Sequence, residues 1–582
     1  MRTGTIFLLL CGLCLFAPLR WTPSASAADL SVLGRATVQH DSTLKTVDTI
    51  SRDVISQLSG RSKLPDEHPV ETIFGFSYTP EAYATLPFIK IRHLPLRQDI
   101  AASLGLDDQR THEFLKRARV SPAFLADPAL RSELEAIAAK DLRKQPAVNE
   151  LLGAAESAEA FLEAPLLPPV RLVPPPPGQG RDGRWHALHE ILTSPDAAAG
   201  YDPQTIADVI LAARNLREVW SDEAAVPAAA DALAAALVAV NPEAYPSEFR
   251  RKAEVTYNRL GKLTLPGTFV YFVAMVLFLI SAYGAFPKMR LWAIRAMLVA
   301  LAVHTAGIAV RWWLVEKSTG DWFHSIPIKN QFESVMFSAW FGAIVGLVLE
   351  LRRKKAGGGV FGGAAAFVGF LSLLALFATP HVTGTEIGGN LGHVQGILMS
   401  YWLYVHVTTV VASYALIGMS FLLGIWWLVA KVAASGTRLA PVGLAGVGFW
   451  RTLGQAAFLP VGREASRGAF DTPTPVERER PLLERLDAAH VVVLQLAFWL
   501  LGTGIILGAI WADQSWGRPW GWDPKETFAL VTWIVYLIIL HVRLITKNKA
   551  MWTAILAIIG FAIMLFNWIG VNFFLVGLHS YA

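Results

Sequence analysis

Thiols are nearly absent from this chain. Its 582 residues hold two cysteines, Cys11 and Cys14, and both lie in an apolar stretch at the N-terminus. With that stretch removed, the remainder forms no disulfide, ligates no metal through sulfur and performs no thiol redox chemistry, so any thiol chemistry belongs to a partner. Charge is also scarce. Only 17% of residues are charged against 53% hydrophobic, and the mean hydropathy is +0.41. That balance excludes an ordinary soluble protein and fits a membrane protein with a soluble part. The net charge of +5 comes with no basic patch interleaved with aromatics in the soluble part, which excludes a nucleic-acid surface. No catalytic motif stands out in the first 262 residues, and their histidines are scattered. His186 and His189 share a helical face, a weak metal signal.

What is present divides the chain into three parts. Residues 1–27 read as a signal peptide, with Arg2, an apolar core and an Ala25-Ser26-Ala27 cleavage site. Residues 28–262 read as a mainly α extracytoplasmic domain. Within it, residues 86–91 suit a short strand, 224–240 an alanine-rich helix, and 247–260 an amphipathic helix leading to the membrane. Residues 165–181, with Pro174 to Pro177 consecutive, read as a polyproline II-like linker between two lobes. Residues 263–582 carry eight apolar segments long enough to cross a bilayer, near 268–286, 291–313, 332–350, 360–378, 403–430, 491–511, 527–545 and 551–571. The fold class is therefore an all-α polytopic membrane protein with a mainly α N-terminal domain. Lysines and arginines fall on alternate loops (Lys288 and Arg290, 352–355, 431–485, and Arg543 to Lys549). The positive-inside rule makes these loops cytoplasmic and places the N-terminal domain, the loop before the seventh segment and the C-terminus outside.

That outer loop is the most informative stretch: Trp516-Gly517-Arg518-Pro519-Trp520-Gly521-Trp522-Asp523-Pro524-Lys525-Glu526. Its glycines and prolines bend the backbone, so the three indoles form a platform able to stack on a flat, largely apolar ligand. Arg518 and Lys525 suit that ligand's anionic edge. His406 at the outer start of the fifth segment and His579 beyond the outer end of the eighth lie at the same membrane level. Two neutral imidazoles there suit the two axial positions of a heme iron. His541 lies at the inner end of the seventh segment, roughly 27 Å of helix from the loop, and belongs to a different, inner site. His304 and Arg311 share a face of the second segment, where ionisable groups are costly. Glu333 sits in the first turn of the third and suits its dipole. His381, His393 and His490 carry no assignment.

The tryptophan loop resembles the WWD signature of heme-handling proteins, specifically the CcsA family of the system II cytochrome c maturation pathway. Arg311-Trp312, Pro327, Asn330, Phe332-Glu333-Ser334 and Trp340 resemble that family's early spans, as Ser400-Tyr401-Trp402-Leu403 with His406-Val407 resembles its first external histidine region. Leu540-His541-Val542-Arg543 resembles its transmembrane histidine, and Gly570-Val571-Asn572 with Gly577 to Tyr581 its C-terminal external histidine. The resemblance implies that His406 and His579 are axial ligands of heme b, the cargo, held against the WWD loop, with His541 in an inner heme site. It implies export of heme and presentation of its vinyl groups to the CxxCH cysteines of an apocytochrome c. It leaves open whether the chain catalyses ligation, as a holocytochrome c synthase component, or delivers heme. The implied partners are a ResB/CcsB-type membrane subunit, apocytochrome c, thiol-reducing proteins and the lipid bilayer of a bacterial inner membrane. Thr46-Val47-Asp48-Thr49-Ile50 and residues 253–259 resemble the external region of versions fused to that partner. A polytopic transporter or channel with an exported binding domain and no heme is the alternative; it predicts internal repeats or broken helices at mid-membrane, which the sequence lacks.

Overall fold

The computed structural model describes residues 29–40, 43–104, 107–141, 144–164, 166–181, 183–284, 288–319, 323, 325–352, 358–383, 389, 391, 400–436, 482–571 and 575. Residues 1–27, read above as a signal peptide, with both cysteines, His393, His579 and most of the loop between the fifth and sixth segments lie outside these residues, as does the side chain of His381. The chain divides into two compact units, with the boundary between Val255 and Thr256.

The first unit is helical around two minimal strand pairs. Strands β1 (Thr37–His40) and β2 (Thr43–Thr46) precede helix α1 (Val47–Ser59). Strand β3 (Ile89–Lys90) leads into α2 (Leu94–Ser103) and pairs antiparallel with β4 (Arg119–Val120). Helices α3 (Gln145–Leu162), α4 (Val226–Val240) and α5 (Glu248–Arg259) complete the framework used below. α1 starts where Thr46 caps it through Thr49 N, and the buried Glu254 of α5 accepts from Thr46 N at 2.7 Å and Thr46 Oγ1 at 2.9 Å. The two stretches singled out in the sequence thus meet at one buried carboxylate.

The proline-rich segment is not a linker between lobes. One apolar core runs from Leu30 to Val240 and includes Leu167, Leu172 and Val173. Arg171 and Val173 make β-bridges to Gln39 and His186. Prolines donate no backbone hydrogen bonds, so the run depends on its carbonyls finding partners. The amide of Asn241 donates to Pro175 O, Pro176 O and Gln179 O. Composition alone suggests a solvated spacer; a distant asparagine makes burial affordable.

Among the described residues, the second unit contains eight helices long and apolar enough to cross a membrane. They are α6 (Thr264–Ala282), α7 (Met289–Thr319), α8 (Gln331–Arg352), α9 (Val360–Thr383), α10 (Tyr401–Gly436), α11 (Leu482–Trp516), α12 (Pro524–Ile545) and α13 (Lys549–Leu565), the last continued by a π turn, Phe566–Gly570. One apolar core passes through all of them, from Phe278 and Met297 through Ala365 and Ile417 to Leu494, Tyr536 and Ala554. α10 packs along α11 and α13, and α6 against α7 and α9. At the end of the bundle where α6 ends and α7 begins, the buried Glu350 accepts from Arg290 Nε at 2.9 Å and from Gly359 N at 2.7 Å, which joins α7, α8 and the start of α9. At that same end Arg543 forms a two-bond pair with Asp487, at 2.7 and 2.9 Å. These cations are therefore structural as well as topological signals.

Candidate functional site

The tryptophan loop joins α11 to α12 at the opposite end of the bundle. α11 stops after Trp516 because Gly517 takes a φ of +70° and its N–H returns to Asp513 O at 2.9 Å, a left-handed helix end that glycine adopts without steric cost. α12 starts at a capping box. Asp523 accepts from Lys525 N at 3.1 Å, while Glu526 Oε2 accepts from Asp523 N at 3.2 Å and Gly521 N at 2.9 Å. Lys525 Nζ donates to Trp568 O at 3.0 Å, inside the π turn of the eighth span. Asp523, Lys525 and Glu526 thus fix the loop to the bundle, and Arg518 is the exposed charge beside them.

The indoles form two edge-to-face pairs. Trp511 and Trp516 stand 4.7 Å apart at 64°, Trp520 and Trp522 5.8 Å apart at 89°. Trp522 has a φ of +56° and is 70% exposed. A left-handed L-residue costs about 1–2 kcal/mol, and such strain tends to persist at binding sites. Here the cost is met by the capping box that begins at the next residue. If capping is the role of Asp523, an Asp523→Asn protein keeps the loop, since asparagine caps as well, whereas Asp523→Ala loses about 1 kcal/mol. The check is the thermal unfolding midpoint and tryptophan emission of both variants; an Asn variant as damaged as the Ala variant would show that the charge itself matters.

His406 lies on the first turns of α10, half-buried, with its ring parallel to Trp511 at 6.4 Å and 5°. Its Nδ1 is 2.8 Å from Gly504 O of α11. A carbonyl only accepts, so Nδ1 carries the proton, and in the neutral form of the ring the lone pair sits on Nε2, as in a metal-ligating histidine held by a backbone carbonyl. Space for the ring comes from Gly508. A Cβ there would lie 2.6 Å from His406 Cε1 and 2.9 Å from Nδ1, and one on Gly504 would lie 2.6 Å from Val410 Cγ2. Gly504 and Gly508 are four apart, on one face of α11, the spacing by which membrane helices approach closely.

The other histidines separate. His541 is exposed near the far end of α12, its Nδ1 2.8 Å from Leu537 O of its own helix. Its Nδ1 proton is thus held by a carbonyl as that of His406 is, in a different place. His490 is buried against Ser420 Oγ at 2.8 Å, and His304 against Tyr271 OH at 3.1 Å. Glu333, expected to serve its helix dipole, also ion-pairs: Arg311 Nε donates to its Oε1 at 2.5 Å and Lys329 N to its Oε2 at 2.8 Å, with Arg311 Nη1 on Gly389 O at 3.0 Å. Tyr257 joins this pair, and burial pushes its phenol up while Arg311 opposes. No cluster of three metal-ligating side chains occurs among the described residues.

Residues 328–579 match the sequence model of a family described as cytochrome C assembly protein. The chain is 31% identical over 311 residues to the cytochrome c biogenesis protein CcsA of Porphyra purpurea, covering 51% of this chain and 90% of that protein. To CcsA of Synechococcus elongatus it is 33% identical over 295 residues, 48% of this chain and 87% of that one. This chain belongs to the CcsA family of cytochrome c biogenesis proteins. It is also 25% identical over 558 residues to Protein NrfI of Wolinella succinogenes, a match covering 93% of this chain and 53% of NrfI, so it spans about half the length of that relative.

Several features of this CcsA-family bundle escape sequence inspection. Nothing local marks Trp511, which stacks on His406 from another helix. Nothing local marks the pairing of Tyr414 OH with Asn567 Nδ2 at 3.0 Å either, with Tyr414 and Trp568 rings 5.1 Å apart, which anchors the π turn to α10. A π turn inside a helix frequently marks a functional position, and this one precedes in sequence the segment carrying His579. Gly504-x-x-x-Gly508 and Asp523-x-x-Glu526 were readable signals, the first for close packing and the second for a helix start.

Proposed function

We propose that this chain takes heme as its substrate at the end of the bundle carrying the tryptophan loop, and presents it for covalent attachment to an apocytochrome c. The observation that carries the reading is the hydrogen bond from His406 Nδ1 to Gly504 O beside the Trp511 ring, and in this reading Nε2 is the ligand. His579, outside the described residues, is the second axial ligand in this reading. Trp516, Gly517, Trp520 and Trp522 supply the flat surface and Arg518 a cation for a propionate. Asp523, Lys525 and Glu526 hold the loop that binds it. In the attachment, each of two cysteine thiols adds across one vinyl group, the sulfur bonding to one vinyl carbon and the hydrogen ending on the other, without net redox change. The near-absence of cysteine in this chain suits a protein whose substrate brings the nucleophiles. His541 belongs to an inner station for the same cargo, its second ligand coming from a ResB/CcsB-type subunit. The N-terminal domain, loop and C-terminus face the outside of a bacterial inner membrane in this reading, and thiol-reducing proteins keep the apocytochrome cysteines free.

The test is an absorption spectrum of the full-length protein in detergent, beside a His406→Ala, His579→Ala double variant. A reduced bis-histidine heme spectrum, lost or shifted in the variant, is the expected result. An unchanged spectrum in the variant would remove heme from this end of the bundle. A heme-free wild type, supplied with heme and partner, would favour a heme-free transporter.

A further inference from the structure

Three arginines of the membrane bundle are matched by carboxylates: Arg290 by Glu350, Arg311 by Glu333 and Arg543 by Asp487. Arg295 is not. It lies in α7, six residues past Met289 and about 9 Å along the axis, inside a segment apolar enough to cross a membrane. It is exposed, as are Leu291, Leu298 and Val299 around it. Its guanidinium meets the Trp292 ring, 4.8 Å from the ring centre, and pairs with no carboxylate among the described residues. A charge facing hydrocarbon is costly and calls for a counter-charge or a way out.

The helix direction provides the way out. Side chains on a helix lean toward its N-terminus, and α7 begins at the end of the bundle where Arg290 meets Glu350. Arg295 accordingly lies over Trp292, about one turn nearer that end. Its aliphatic stem follows the apolar surface while the charge reaches toward the membrane surface, the level at which tryptophan is enriched. Lys288 continues the same face. Trp292 N donates to Lys288 O at 3.4 Å, so the helical turn reaches back to Lys288, and residues 288, 292 and 295 fall at i, i+4 and i+7. Lys288 is exposed. Farther along α7, this face exposes Leu298, Val299 and Ala302, with no charge among them. It therefore carries two cations and an indole at one end and an apolar strip beyond.

We propose that this face of α7 binds an anionic phospholipid, its phosphate between Arg295 and Lys288 and an acyl chain along Leu298, Val299 and Ala302. A guanidinium steadied by an indole offers N–H groups that fit phosphate oxygens in pairs. A zwitterionic lipid brings a cation of its own into a place that already has two, so net negative charge is what the site selects. This does not rest on the heme reading and holds equally for a heme-free transporter.

The experiment uses the full-length chain, delipidated in detergent and titrated with phosphatidylglycerol, phosphatidylcholine or inorganic phosphate, with bound lipid counted by native mass spectrometry. Phosphatidylglycerol is expected to bind saturably and roughly fivefold or more tighter than phosphatidylcholine. Inorganic phosphate does not displace it, because the apolar strip supplies part of the hold. In Arg295→Gln the phosphatidylglycerol affinity falls roughly fivefold, the loss expected for one cation near an anionic headgroup. The unfolding midpoint of that variant in phosphatidylcholine stays at the wild-type value, since the side chain ties α7 to no other helix. Arg295→Lys keeps part of the preference. Lys547→Gln, which removes an exposed cation from the turn between α12 and α13, leaves the preference intact. Equal affinity for the two lipids, undiminished preference in Arg295→Gln, an equal loss in Lys547→Gln, or displacement by inorganic phosphate would each overturn the proposal.

Discussion

A Gly508→Val protein is expected to purify folded and to retain less than a tenth of the wild-type heme. The argument is steric. The position is a glycine whose added Cβ would stand 2.6 Å from His406 Cε1, 2.9 Å from Nδ1 and 3.2 Å from Nε2. Valine adds two methyl groups beyond that Cβ and has few rotamers with which to avoid the ring. Overpacking of this kind costs about 1–3 kcal/mol, which an eight-helix bundle with one continuous core survives. The imidazole does not survive it in place. It must leave the gap between α10 and α11, and with it go the 2.8 Å bond to Gly504 O and the parallel contact with Trp511. Gly307→Ala is the matched control, because its Cβ would meet Met336 Cε at an ordinary 3.5 Å. The measurement is the ratio of heme to protein in the purified variants, with circular dichroism for fold. Full heme occupancy in a folded Gly508→Val protein would mean that His406 is not a ligand in this position.

The same contacts show what a sequence reader sees and misses. Eight spans are legible because each is an apolar run of near-bilayer length, a property of the segment by itself. The tryptophan loop is legible because glycine and proline act on their own backbone. The tautomer of His406 is not, because the deciding carbonyl belongs to Gly504, on another helix. The same holds for Glu333, which reads as a dipole partner from its first-turn position and becomes an ion-pair partner only when α7 lies beside α8. The proline run fails in the other direction: its composition suggests solvation, and Asn241 supplies the donor that permits burial. The division of labour within Trp516 to Glu526 lies between these cases. Asp523-x-x-Glu526 ahead of an apolar run is a local helix-start signal, so its capping role is readable beside the more conspicuous indoles. The reach of Lys525 to Trp568 is not readable, since it depends on how α13 ends.

Arg311→Met is expected to be the most destabilising single change at this end of the bundle. Both partners are sealed, with Arg311 1% and Glu333 2% exposed, so no water replaces a lost contact. Removing the guanidinium leaves a buried carboxylate without its counter-charge, a loss of about 3–5 kcal/mol. It also strips Gly389 O of its 3.0 Å donor and removes the cation 5.3 Å from the centre of the Phe332 ring. A double variant, Arg311→Met with Glu333→Leu, separates these terms. It buries no unpaired charge, so it is expected to recover more than half of the loss measured for Arg311→Met alone. It does not recover all of it, because Gly389 O and Lys329 N still lack their partners. The check is the apparent unfolding midpoint of wild type, single and double variants in one detergent. A double variant no more stable than the single one would show that the carbonyl and ring contacts, rather than the ion pair, hold α7 against α8. Heme content then decides what the pair is for. Occupancy restored together with stability makes Arg311–Glu333 a scaffold for the site, whereas a stable double variant that stays heme-free makes the charge itself part of substrate recognition.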